Sequence, residues 1–389
     1  MKIVHLANSL DPDAGGPPVV VSRLAAAQAA LGHDVIILGG RAEDRDEHTR
    51  KFLNETPGIE RVEICCTALH SQGLAGLLFG GETESELERL APIDVLHLHG
   101  VWDPVLVRAA AWCRKRGVPY VLCPHGMLDD WSLQQGAAKK KFALAITHRA
   151  LTRRAGTIHV LNEHEKTTIG RLGFGTRMDV IPNGIFIEEV DVVTKPREFR
   201  DSIEGLGDAP YALFLSRLHY KKGLDILADA WALACPDLPG VRLVIAGPRD
   251  DNSIDDFNQR IAKAGLTDSV FVVGPIYGTT KTSAYRDASV FVLPSRQEGF
   301  SMAITESLAL GTPAVVSTEC HYPDISEFDA GIETSLAPED VADGLCKMFR
   351  DEAFSKQAAE RGAQLVRERY TWPAIASQSI SVYQQITSG

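Results

Sequence analysis

Short apolar runs rich in Val, Ile and Leu recur along the chain between stretches of helical spacing, and the series occurs twice. The first set is Ile3 to Ala7, Val35 to Leu38, Val62 to Cys66, Val95 to Leu98, Tyr120 to Cys123, Ile158 to Leu161 and Val180 to Ile181. The second is Tyr211 to Leu215, Leu243 to Ala246, Val270 to Val273, Val290 to Leu293 and Ala314 to Val316. Runs that are apolar on both faces belong inside parallel sheets covered by helices. The expected fold class is therefore α/β, with two Rossmann-like, doubly wound domains, and 389 residues suit two domains. The first is expected over residues 1–190 and the second over 191–370, with a linker at 188–209 where Gly, Pro and charges replace the apolar period. Residues 371–389 read as one amphipathic crossover helix carrying Trp372, Ile375, Ile380 and Tyr383, expected to return to the first domain. Open sheets of this kind bind ligands beyond the carboxyl ends of their strands, so two of them facing each other would form a cleft. Chemistry is sought just after strands.

Composition excludes several classes. The balance of 51 acidic against 40 basic residues, a formal charge of −11, argues against wrapping nucleic acid. Seven cysteines without a C-x-x-C pair suggest neither a disulfide framework nor a zinc site, and fit a reducing compartment. No apolar leader or long apolar run is apparent, so a cytoplasmic chain is expected. A G-x-G-x-x-G fingerprint follows the first strand of neither half, and no P-loop string occurs, which demotes nicotinamide and flavin enzymes.

Four segments carry candidate chemistry. Gly15 and Gly16 follow the first strand and precede Pro17, Pro18 and a long helix; this loop either covers an anion or simply enters the helix. Arg217, Lys221 and Lys222 lie between a strand and a helix start, where cations oppose the helix dipole; a diphosphate clamp explains that cost, and solvated surface charge is the alternative. In VFVLPSRQEGFSMAITESLALGTPAVVS, Glu298 and Glu306 bracket Gly299, Phe300, Ser301 and Met302 at a helix start. Its amides suit phosphate, and the eight-residue spacing, just over two helical turns, is expected to keep both carboxylates on one side. Finally, His125 and His99 each follow a strand at the expected carboxyl edge, with His97 expected on the opposite face of its strand from His99.

Taken together, these strings resemble the family 4 glycosyltransferases, retaining enzymes of the GT-B fold, over essentially the whole chain. The Gly15–Gly16 loop, DVLHLHG, VLCPHG, IPNGI, SRLHYKKG and the Glu298 to Glu306 element occur in the family's order. The resemblance implies a nucleotide-diphosphate-sugar donor and a carbohydrate or lipid-linked sugar acceptor. It assigns Arg217 and Lys222 to the donor diphosphate, Glu298 to the sugar hydroxyls and Glu306 to the ribose. It also assigns the amides of Phe300, Ser301 and Met302 to phosphate and sugar, the Gly15–Gly16 loop to the opposite wall, His125 to the donor sugar and His99 to the acceptor. Neither a cofactor nor a metal is implied. One departure is the segment STECHYPDISEF, where His321, Tyr322, Pro323 and Asp324 replace a Gly-Gly-x-Pro-Glu loop, so no sugar identity carries over.

The net charge also conceals a basic island. Between Arg108 and Arg154 stand ten basic residues and only two acids, Asp129 and Asp130. Within 136–154, Lys139, Lys140, Lys141, Arg149, Arg153 and Arg154 flank an apolar stripe of Phe142, Ile146 and Ala150. Such a helix either lies on an anionic membrane surface or packs on its own domain with a solvated basic face. Two rival functions share the expected fold: a nucleotide-sugar 2-epimerase, which needs catalytic acids not seen here, and a non-catalytic nucleotide-sugar binder.

Overall fold

The computed structural model describes residues 1–40, 46–67, 82–129, 132–133, 148–195 and 197–388, which fall into two units. Met1–Asn183 with Trp372–Gly389 form the first, and Gly184–Thr371 the second.

In the first unit, seven strands make one parallel sheet: β1 (Lys2–Ala7), β2 (Asp34–Gly40), β3 (Glu63–Thr67), β4 (Val95–His99), β5 (Tyr120–Cys123), β6 (Thr157–Val160) and β7 (Met178–Val180). Their order is β3-β2-β1-β4-β5-β6-β7. Winding reverses between β1 and β4, where the loops leaving adjacent strands diverge and open a crevice at their carboxyl ends. Register brings His5 beside His97, and His99 beside both Ala7 and Cys123, so the polar residues of these otherwise apolar strands gather at that switch point. The helix Trp372–Thr387 belongs to this unit and packs on the helix Gly16–Ala30, burying Trp372, Ile375, Ile380 and Tyr383.

The second unit repeats the plan with β8 (Tyr211–Leu215), β9 (Arg242–Ala246), β10 (Val270–Gly274), β11 (Val290–Leu293), β12 (Ala314–Ser317) and β13 (Gly331–Thr334), in the order β10-β9-β8-β11-β12-β13. Here the reversal lies between β8 and β11. The helix Leu224–Ala234 covers the sheet with Leu224, Ile226, Leu227 and Trp231, and the Trp231 indole donates to Ser269 Oγ at 3.0 Å. Each such fully buried apolar side chain stabilises the unit by about 1.5–3 kcal/mol. β13 is missing from the strands expected on sequence because Gly331 interrupts its apolar run; a Cβ there would stand 2.2 Å from the Ala314 carbonyl oxygen. The segment 188–209 packs on this unit through Val190, Phe199 and Leu206, spaced too irregularly to show a period.

Two loops leave the reversal point and are fastened together. The Lys221 carbonyl accepts from the Arg296 amide at 2.7 Å and from Ser295 Oγ at 2.9 Å, and the Arg296 guanidinium grips Asp225 at 2.8 and 2.7 Å. Only glycine fits where they cross: Gly223 has φ +72°, and a Cβ on it would stand 2.0 Å from the Pro294 carbonyl oxygen. Gly240, with φ +82° and nothing within 4 Å, provides the comparison. Gly223→Ala is expected to lower the unfolding free energy by at least about 3 kcal/mol, against about 1 kcal/mol for Gly240→Ala. Urea unfolding of the two variants measures the difference; equal losses would mean that the loops part without cost.

Candidate functional site

At the carboxyl edge of the second unit, every ionisable group expected to bind the donor is paired with an opposite charge. Lys222 ends the turn Tyr220–Lys222, which Gly223 closes with a left-handed backbone. Its ammonium donates to both oxygens of Glu298, at 2.6 and 2.8 Å, and the side chains are only 13% and 8% exposed. Partly buried charges of this kind are tolerated only as a pair. Arg217 is 65% exposed and meets Asp250 at 2.8 Å, so its guanidinium is held loosely enough to turn elsewhere. Glu306 accepts from Lys281 Nζ at 2.9 Å and from the Tyr285 hydroxyl at 3.3 Å.

The helix Met302–Ala309 begins at Met302 with Ser301 as its cap residue, and no side chain caps its first amides. The first-turn amides of a helix are left without intrahelical acceptors, and such orphan amides favour anions. Because Glu298 lies in the preceding loop, the helical-spacing argument for Glu298 and Glu306 does not hold: only Glu306 is on the helix, and the two carboxylates have different partners. Phe300 packs against Tyr322 and Tyr370, with ring centroids 5.5 and 5.7 Å away, and the Tyr370 hydroxyl donates to Asp324 at 2.5 Å. The unusual segment around Tyr322 and Asp324 thus supports Phe300 through an aromatic cluster. His321 precedes it in the left-handed region at φ +52°, a backbone state that side chains seldom adopt outside constrained sites.

The Gly15–Gly16 turn belongs to the first unit. Gly15 has φ +110° and caps the helix Gly16–Ala30, and Pro17 sits in that helix's first turn. At the carboxyl edge of that unit, His125 has φ +52° and follows β5. The next residue, Gly126, donates its amide to Glu165 at 2.8 Å, and Glu165 also accepts from the Leu161 amide at 2.7 Å. Burial raises the Glu165 carboxyl above the usual range. His99 ends β4, and its Nδ1 lies 2.9 Å from His125 Nε2.

Sequence reasoning missed the company these histidines keep. His5, His97, His99, His125 and His159 form one connected cluster, extended by Gln28 and Tyr383. The expectation for His97 was wrong: its ring lies 4.1 Å from that of His99, on the same face, because side chains alternate at every residue and positions two apart coincide. A signal was present in KIVHLA, VLHLH and TIHV, where histidine interrupts strands otherwise apolar on both faces. Three groups, His5/His97/His99, His97/Cys123/His159 and His99/Cys123/His125, bring ligand-type atoms within 4.8 Å of one another. Their facing nitrogens also hydrogen-bond to one another, which makes them one network. Of the basic island, Arg108, Arg114, Lys115 and Arg116 lie on the helix Pro104–Arg116, and Arg149 and Arg153 on the helix His148–Arg153; Lys139, Lys140, Lys141, Phe142 and Ile146 lie outside the described residues. No helix among the described residues is long and apolar enough to cross a membrane.

Burial lowers the imidazoles of His5 and His159 from 6.5 to about 4 and that of His125 to about 3, and holds His97 and His99 well below 6.5. A depressed histidine stabilises the fold fully above its unfolded value, and that contribution is lost as pH falls toward the folded one. Stability should therefore drop steeply between pH 6.5 and 4, by about 1.4 kcal/mol per pH unit for each histidine kept neutral. Glu165 acts in the opposite direction, but it is one group against five. Denaturant titrations across this range should show a slope shallower by one proton in His159→Gln; an unchanged slope would mean that His159 titrates normally.

Comparison with known proteins matches this architecture along both units. The family described as "Glycosyl transferases group 1" matches residues 196–365, and the "Glycosyl transferase 4-like domain" matches residues 15–184. A GDP-mannose-dependent alpha-(1-6)-phosphatidylinositol dimannoside mannosyltransferase of Mycobacterium tuberculosis is 27% identical over 98% of this chain and 95% of its own. A D-inositol 3-phosphate glycosyltransferase of Xylanimonas cellulosilytica is 26% identical over 96% of this chain and 93% of its own. Among solved structures, a glycosyltransferase from Rickettsia africae has a TM-score of 0.78 at 15% identity, covering 99% of this chain and 98% of that one. HepE of Anabaena, in complex with UDP and glucose, has a TM-score of 0.75 at 19% identity, covering 99% of this chain and 100% of that one. The chain belongs to the group 1, family 4 glycosyltransferases of the GT-B fold, and is a hexosyltransferase.

Proposed function

We propose that the chain transfers a hexose from a nucleoside-diphosphate sugar to a carbohydrate or lipid-linked sugar acceptor, with retention of configuration. One observation carries this reading: Lys222, Arg217 and Glu298 stand at one carboxyl edge beside an uncapped helix start, with Glu306 on that helix, and each is already paired with an opposite charge. A diphosphate draws Lys222 from Glu298 and Arg217 from Asp250. Glu298 is then released toward the sugar hydroxyls, while Glu306 accepts from the ribose as Lys281 yields. Amides at Phe300, Ser301 and Met302 complete the anion site.

In the transfer, the acceptor oxygen bonds to the anomeric carbon as the bond from that carbon to the diphosphate breaks. The acceptor's proton passes to the departing diphosphate on the same face. The protein's main contribution is to stabilise charge growing on the diphosphate, from fixed donors that need no reorganisation. No metal is needed for that task in this reading. The family resemblance gives His125 a donor-sugar role and His99 an acceptor role.

Relatives support the substrate class. The mycobacterial enzyme is named for GDP-mannose and an inositol-containing lipid, the Xylanimonas enzyme for inositol phosphate, and HepE is seen with UDP and glucose. An inositol- or lipid-borne acceptor would suit the basic segment 136–154 at an anionic membrane. Such a chain would work in the cytoplasm or at the inner membrane face, in surface polysaccharide or glycoconjugate synthesis.

Incubation with UDP-, GDP- and ADP-hexoses, with and without glycan or glycolipid acceptors, should give acceptor-dependent nucleotide release. Donor isomerisation instead would point to an epimerase, and binding without turnover to a non-catalytic role. Lys222→Met should lower kcat by about 10²–10³-fold, as the loss of a charge-stabilising donor does. Glu306→Ala should weaken nucleotide binding at least about tenfold, or 1.4 kcal/mol, in calorimetry; unchanged affinity would remove its ribose role. Each Lys beside an anionic surface contributes about 1 kcal/mol, so reversing Lys139, Lys140 and Lys141 to Glu should abolish sedimentation with phosphatidylserine vesicles. Unaltered sedimentation would return the island to ordinary surface.

A further inference from the structure

Seven hydrogen bonds run end to end from His125 to the Ile181 carbonyl through the first unit, and they all point the same way. The Ile181 carbonyl only accepts, so His159 Nε2, 2.6 Å away, carries a hydrogen. A neutral His159 then accepts at Nδ1 from His97 Nε2 at 3.3 Å. His97 Nδ1 is left to accept from the Tyr383 hydroxyl at 2.7 Å. With its hydrogen so placed, the Tyr383 oxygen accepts from the Gln28 amide nitrogen at 3.1 Å, and Ser379 Oγ, which donates to Ala376, accepts from it at 2.8 Å. Gln28 therefore turns its oxygen to His5 Nε2, 2.7 Å away, which donates. His5 Nδ1 accepts from His99 Nε2, and His99 Nδ1 from His125 Nε2, each at 2.9 Å.

We infer that this chain is a tautomer lock, which holds His125 as a neutral ring with its hydrogen on Nε2, so that any ligand hydroxyl meeting the ring must donate to Nδ1. The consequence for a ligand rests on the proposed place of His125 beside the donor sugar; the lock itself rests on geometry alone. Burial favours the neutral form of all five rings. The neighbour of Nδ1 is Cys123 Sγ at 3.6 Å, a thiol that burial keeps protonated and hence a weak donor that a hydroxyl can replace. Glu165 and Asp129 stand near Gly126, Asp103 near Gly100 and Asp179 near His159, and none of them is a link of the His125-to-His5 segment.

Conduction of protons is not what such a chain does. Its terminus at Ile181 is a peptide carbonyl and its midpoint at Gln28 is a carboxamide, and neither takes up a proton at neutral pH. What it transmits is direction, since each donor fixes which nitrogen of the next ring is bare. His5, Gln28 and His99 are therefore positioning residues that act on a ligand only through His125, while Tyr383, with His97 and His159 behind it, holds Gln28 in parallel with Ser379.

Nitrogen-15 labelling of histidine and long-range proton-nitrogen correlation read the ring state directly. In the unmodified chain, His125 should carry its hydrogen on Nε2 alone; a hydrogen on Nδ1, or on both nitrogens, overturns the lock. The carboxylate introduced by Gln28→Glu should draw an extra proton onto His5, which then donates through Nδ1 to His99 Nε2. His99 Nδ1 in turn donates to His125 Nε2, and the His125 hydrogen moves wholly to Nδ1, three rings from the substitution. An unmoved hydrogen in a folded Gln28→Glu chain overturns the lock, whereas Tyr383→Phe, which leaves Ser379 to hold Gln28, should keep the original tautomer. If Gln28→Glu does not fold, the unmodified chain still decides. An inverted tautomer with unchanged donor affinity and turnover would uphold the lock and remove His125 from the ligand, separating the two readings.

Discussion

Neither Lys222 nor Glu298 could occupy its place without the other. An ammonium and a carboxylate so little exposed have lost most of their hydration, and only a two-point contact at 2.6 and 2.8 Å offsets that loss. Their contact requires the loops after β8 and β11 to lie almost touching. This is why the crossing point is glycine and why the Lys221 carbonyl accepts twice from the neighbouring loop. The pair and the loop junction depend on one another. Deleting either partner would leave a stranded charge, a larger cost than the bond itself contributes.

The two units solve the same topological problem with different chemistry. In both, polar residues gather where a parallel sheet reverses its winding, because only there does the backbone spread enough to admit a ligand. The second unit fills its opening with ion pairs, which can exchange partners. The first fills the region below its opening with neutral rings, which keep fixed partners. Groups that can exchange partners and groups that keep their orientation need these opposite arrangements.

The fold was legible in the chain because strands buried on both faces leave long apolar runs that no other element of that length produces. β13 escaped because it is short and opens on glycine. The places of Arg217, Lys222, Glu298 and Glu306 in the fold were legible because each lies just after a strand or on the helix that follows. Their partners were not: Asp250, Lys281 and Tyr285 come from other segments, and proximity across a sheet leaves no local trace. The histidine network was half visible. Its rings stand out in apolar strands, but Gln28, Ser379 and Tyr383 lie on helices whose polar positions look like any solvated face.

The helix Trp372–Thr387 supplies Tyr383 and Ser379 to a unit whose remaining residues end at Asn183. The whole second unit, Gly184–Thr371, is synthesised in between, and at roughly 5–20 residues per second that interval is on the order of 10–40 seconds. Until it ends, Gln28 and His97 lack their hydroxyl partners, and the groove on the helix Gly16–Ala30 is bare. The first unit to emerge is thus the last to be finished, and its polar interior cannot set before its neighbour has been made.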